Sequence, residues 1–144
     1  MPVSVVARAR ARGVRAATVR NDARRLLAAL QETRAELTVS LVDDAEIQRL
    51  NRDDRRTDRP TDVLAYAMRE GRRAPGDEWV LGDVVISLQT AARQAQRRGA
   101  STAAEVRSLL IHGVLHLLGY DHERSTRDAR RMKAMERRLE KLLT

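Results

Sequence analysis

The 144 residues are 42% hydrophobic, which supplies apolar mass for one domain with one real core and too little for two. There is no cysteine, no run of eighteen apolar residues and no apolar signal-peptide stretch in Met1-Pro2-Val3-Ser4-Val5-Val6-Ala7-Arg8, so a disulfide scaffold and a membrane span are excluded and a cytoplasmic protein is expected. The formal charge of +8 gathers at the ends, with eight arginines against Asp22 and Glu32 in residues 1–34, and eight basic against four acidic side chains in residues 123–144, a pattern that suits a phosphate-bearing partner.

In chain order, Val3 to Val6 reads as a short strand. Ala16 to Gln31 reads as a helix with Val19, Leu26, Leu27 and Leu30 inward and arginines outward. Arg20, Arg24 and Arg25 offer cations to RNA or simply a solvated face; with Lys133 and Lys141 the only lysines, a general arginine preference fits either. Only Trp79, Tyr66 and Tyr120 are aromatic, so stacking bases on an aromatic platform is not expected to be the main mode of RNA binding.

Glu36 to Val42 alternates as a strand does. Asp43 or Asp44 then caps a helix running to about Asp53 with Ile47 and Leu50 as its stripe. Asn51 to Pro60 reads as a charged loop, Val63 to Ala67 as a strand, and Met68 to Glu78 as a Gly- and Pro-containing loop placed to act as a lid. Val80 to Ser87 reads as a buried strand, in which Asp83 either helps position substrate or a metal shell, or makes a structural hydrogen bond beside Gly82.

Leu88 to Arg98 is an amphipathic helix stopped by Gly99. Ser101-Thr102 opens the next, with Thr102 and Glu105 spaced as a capping box, and this helix carries Val106, Leu109 and Leu110. Ser125 caps a last helix reaching Leu143, with Met132, Met135, Leu139 and Leu142 as its apolar seam. The order implies an α+β fold, a small mixed sheet of about four strands packed with about five helices, with residues 1–144 as one metalloprotein domain.

The fourth helix ends in Ile111-His112-Gly113-Val114-Leu115-His116-Leu117-Leu118-Gly119-Tyr120-Asp121-His122, which holds every histidine of the chain. His112 and His116, four apart, share one helical face and can lean onto one ion. Gly119 is suited to the positive φ that ends a helix, and a turn through Tyr120 and Asp121 returns His122 to the first two. Three imidazoles with no cysteine to close the set match a catalytic metal site rather than a structural one. The bland alternative is three core or capping histidines. The spacing also matches the metzincin peptidases, except that Gly113 stands where they carry the glutamate base.

The sequence His112-Gly113-Val114-Leu115-His116-Leu117-Leu118-Gly119-Tyr120-Asp121-His122 resembles the H-G-x-L-H-L-x-G-Y-D-H motif of the YbeY family of bacterial rRNA maturation factors. Leu50-Asn51, Arg55 and Pro60-Thr61-Asp62-Val63-Leu64 are similar to that family's L-N-x-x-(aromatic)-R-x-x-D-x-P-T-D-V-L-S-F, and Leu81-Gly82-Asp83-Val84-Val85-Ile86-Ser87 to its L-G-D-I-x-I-S. The chain departs from the pattern at Asp54, Arg56 and Ala65-Tyr66. The resemblance implies a metal-dependent, single-strand-specific endoribonuclease of the same fold. It implies a role in 16S rRNA 3′-end maturation and ribosome quality control, with the small ribosomal subunit as partner, and places the functional arginine on Arg55.

On this reading His112, His116 and His122 bind one Zn²⁺, which acidifies water and polarises a phosphoryl oxygen. Arg55 grips the scissile phosphate through its guanidinium fork. Asp121 orients an imidazole, acts as a base, or merely stabilises the turn. A monomer without membrane contact is expected. Two other classes stay open: a non-enzymatic ribosome assembly factor with a structural metal, and a metzincin-like metallopeptidase.

Overall fold

Four alternating stretches pair into one mixed sheet. β1 (Val3–Ala7), β2 (Glu36–Val42), β3 (Val63–Ala67) and β4 (Val80–Ser87) lie in the order β1-β2-β4-β3. β1, β2 and β4 run parallel, and β3 joins the edge antiparallel to β4. The helices are α1 (Ala16–Ala29), α2 (Asp44–Arg55), α3 (Leu88–Arg98), α4 (Thr102–Leu117) and α5 (Thr126–Leu143). The computed structural model describes residues 3–68 and 79–144, so the lid expected over Met68 to Glu78 lies, apart from Met68, outside the described residues. The chain adopts the α+β architecture read from its sequence.

One face of the sheet, through Val39, Val84 and Ile86, packs with Leu26 and Leu27 of α1, Leu110, Ile111, Val114 and Leu115 of α4, and Met132, Leu139 and Leu143 of α5. On the other face Val42, Leu64 and Val85 close over Ile47 of α2. Helix α4 therefore runs through the larger core, which explains why it is apolar nearly all round.

Gly113 is what lets α4 lie so close to the sheet. A Cβ there would stand 2.7 Å from Val84 Cγ1 and 3.4 Å from Val63 Cγ2. Alanine would gain about 1 kcal/mol in helix propensity over glycine, but pressing a methyl into a fully buried β-branched side chain costs about 1–3 kcal/mol. The contact wins. Gly113→Ala is expected to lower the urea midpoint of unfolding, and a variant as stable as the wild type would show that the sheet yields freely.

Three local expectations are corrected. Helix α2 does not stop near Asp53 but runs to Arg55, with Arg56 left-handed (φ 57°) as its cap. Its last turn gathers Arg52 and Arg55, cations that the negative helix end favours, while buried Asn51 donates Nδ2–H to the Arg59 carbonyl at 3.0 Å and folds the loop back. The capping box does not form: Ser101 caps α4 by accepting from the Ala104 N–H, and Glu105 instead takes Arg98 at 2.6 Å. In α5 the seam continues to Leu143, which is buried, rather than Leu142, which is 47% exposed. Eleven residues from Met132 make about three full turns at 3.6 residues each, whereas ten leave Leu142 well off that line.

Candidate metal centre

The site begins where α4 ends. Leu118 caps the helix and Gly119 follows at φ +94°. The Gly119 N–H donates to the His116 carbonyl and the Tyr120 N–H to the Leu115 carbonyl, both at 3.0 Å, the paired bonds by which a glycine turns a chain off a helix. Asp121 Oδ1 accepts from the Glu123 N–H at 2.8 Å and tightens the turn that follows. His122 is thereby folded back over α4.

The three rings meet. His112 and His116 have ring centroids 4.6 Å apart, and each is 5.5 Å from that of His122. His112 Nε2 and His116 Nε2 are 3.1 Å apart. Two nitrogens each about 2.0–2.1 Å from one tetrahedral ion would stand about 3.4 Å apart, so the pair is already near a shared-ligand spacing. One ligand atom from each histidine lies within 4.8 Å of the others. Burial, together with the neighbouring imidazoles of His112 and His122, holds His116 below the ordinary histidine pKa, which favours the neutral form that a metal requires. The donor set thus fits one borderline divalent ion, with coordination positions left over for other groups.

A fourth side chain, which the sequence reading missed, supports the cluster from behind. Glu136 of α5 places Oε2 at 3.0 Å from His112 Nδ1. A carboxylate accepts, so Nδ1 carries the hydrogen and Nε2 turns its lone pair toward the other rings. The signal was in the helical phase: Glu136 stands four residues after Met132 and three before Leu139, a charge in register with the apolar seam.

The rings line a groove of about 1010 Å³ whose other wall includes β3 and Arg55. Of the neighbouring arginines at 52, 55, 56 and 59, only Arg55 lines it. Its guanidinium lies 5.3 Å from the Tyr66 ring centre and donates to the Ala65 carbonyl at 2.6 Å. The Tyr66 hydroxyl in turn donates to Asp54 Oδ2 at 3.0 Å. Burial and the Asp54 carboxylate both push the Tyr66 pKa up, so the phenol stays a donor. The residues at 54 and 66, both departures from the family pattern, are therefore partners in one clamp beside Arg55. Asp62 serves structure, with Oδ1 accepting from the Val63 N–H at 2.8 Å and its carbonyl accepting from the Ser87 N–H at 2.9 Å to start the β3–β4 pairing.

Asp121 lines the groove, but its described bonds are those of the turn, to the Glu123 N–H and to Arg124 at 3.6 Å. Arg124 also lines the groove and donates to the Gly119 carbonyl at 3.2 Å. Asp83 is not brought to the site. It shares a sheet face with Val85, which packs with α2, while Val84 on the opposite face packs with α4, so the strand's alternation turns Asp83 away from the histidines.

Residues 6–144 match the family model described as Endoribonuclease YbeY. Among similar proteins, the Endoribonuclease YbeY of Geobacter sulfurreducens is 42% identical over 144 residues, covering 99% of this chain and 96% of that protein. That of Syntrophotalea carbinolica is 49% identical over 123 residues, 85% of this chain and 82% of that one. The solution structure of TM1509 from Thermotoga maritima superposes with a TM-score of 0.67 over 98% of this chain and 88% of that one; at 24% identity this speaks to the fold alone.

Proposed function

The chain belongs to the endoribonuclease YbeY family, and from that premise we propose that it is a zinc-dependent endoribonuclease that cuts single-stranded RNA. Its proposed task is 16S rRNA 3′-end maturation and ribosome quality control, carried out in the cytoplasm by a monomer acting on the small ribosomal subunit. The observation that carries the reading is one open groove lined by three converging imidazoles and, across from them, by a clamped guanidinium.

His112, His116 and His122 would hold the ion. Bound there, a divalent zinc supplies positive charge to a phosphoryl oxygen and makes water acidic enough to react near neutral pH. The chain's own part is to seat the strand. A guanidinium has five N–H donors, and the Ala65 carbonyl takes only one of those on Arg55. The fork can therefore still engage two oxygens of the scissile phosphate, neutralising charge that grows as the bond to the attacking oxygen forms. Val63 to Ala67 of β3 and Tyr120 line the same groove, so a single strand can lie along β3 between Arg55 and the three rings. Among the described residues no helix is long and apolar enough to cross a membrane.

The peptidase alternative is disfavoured by Gly113 itself, because any side chain at 113 would be driven against Val84. To test the nuclease reading, metal content and cleavage of a defined single-stranded RNA are measured before and after chelation. One zinc per chain is expected, with cleavage lost on its removal and restored by Zn²⁺. Undiminished cleavage by metal-free protein would refute the reading, and stoichiometric metal with no cleavage would favour a non-enzymatic assembly factor.

A further inference from the structure

We infer that Glu136 is a positioning residue for the metal centre, fixing the tautomer and the ring orientation of His112 and thereby setting how tightly the ion is held. The inference rests on the metal reading above and deepens it.

Its basis is geometric. The Glu136 Oε2 to His112 Nδ1 distance of 3.0 Å is that of a direct hydrogen bond, and the two side chains are equally shielded, each 29% exposed. The imidazole has two nitrogens and one hydrogen when neutral, so committing that hydrogen to Nδ1 leaves Nε2 as the free donor atom. Nε2 is the nitrogen that stands 3.1 Å from His116 Nε2. Without the carboxylate, the ring can rotate about its side-chain bonds or carry its hydrogen on Nε2, and in either state it offers no lone pair to the cluster. A carboxylate behind a ligating histidine also makes the imidazole a better electron donor.

The location on the chain adds a second consequence. His112 belongs to α4, Glu136 to α5, and His122 lies on the segment that joins those two helices. The pair thus ties together the two helices that flank the segment delivering the third imidazole. Asp121, next to His122 in sequence, makes no such bond; its Oδ1 accepts from the Glu123 N–H.

Zinc affinity, measured by competition with a chromophoric chelator on apo-protein, tests the role without RNA. Glu136→Ala is expected to weaken binding about 10- to 100-fold. Glu136→Gln, which keeps an acceptor oxygen of the same reach but not the charge, should fall between Ala and the wild type and serves if the alanine variant does not fold. Imidazole ¹⁵N shifts of the apo-proteins read the tautomer: His112 should hold its hydrogen on Nδ1 in the wild type and share it between both nitrogens in Glu136→Ala. Equal affinity in wild type and both variants, or an unchanged tautomer, would overturn the role of Glu136 alone. A wild type that takes up no zinc would instead overturn the metal reading beneath it.

Discussion

His116→Ala is expected to leave the protein folded, strip it of metal and cut RNA cleavage by about 10³-fold or more. The size follows from what a Lewis acid contributes to transition-state charge, several kcal/mol, at about 1.4 kcal/mol for each factor of ten. Folding should survive because position 116 is in the last turn of α4, where alanine is the best helix former, and because His116 is only partly buried. Its removal also takes away the Nε2 that faces His112. The measurement is zinc stoichiometry together with single-turnover cleavage, with circular dichroism as the control for folding. A variant that keeps one zinc per chain and wild-type cleavage would end the case for the three-histidine centre.

Arg55→Ala should behave differently, with metal content intact and cleavage reduced by about 10²–10⁴-fold. In phosphoryl transfer a well-placed arginine contributes about 10³–10⁵ in rate, and the lower range allows for a groove open to water, where charge is screened. Arg55→Lys should recover little. A lysine keeps the charge, but it has neither the planar fork for two phosphate oxygens nor the delocalised guanidinium that sits over the Tyr66 ring. The loss should appear in the chemical step more than in RNA affinity, because the guanidinium meets charge that grows during the reaction. If Arg55→Ala cleaves at the wild-type rate, the arginine is only part of the wall.

Much of this was legible in the sequence because the signals were local. The four strands, the end of α3 at Gly99 and the turn at Gly119 are each set by neighbours a few residues away, and so is the pairing of His112 with His116. What was not legible depended on partners distant along the chain. Glu136 is 24 residues from His112 and could be read only as a surface charge or as an odd member of the α5 seam. The last two residues of α2 lie beside a loop that Asn51 folds back by donating to the Arg59 carbonyl, a contact eight residues away. Glu105 abandoned its own helix end for Arg98, since a charged partner offers an acid more than a backbone N–H does. Asp54 and Tyr66 looked like separate irregularities in the sequence, yet they share a hydrogen bond, so reverting either one alone would leave the other without its partner.

The three imidazoles do not stand on equal footing. Two project from a helix locked into the protein's interior, while the third sits at the rim, 46% exposed, on a turn held by a few backbone and carboxylate bonds. The grip is a fixed jaw and a hinged finger. Exchange with the surroundings should begin by lifting the finger, so the short segment Gly119 to Arg124 should set how readily a bound ion escapes, while the Glu136 contact behind His112 sets how firmly the fixed jaw holds it.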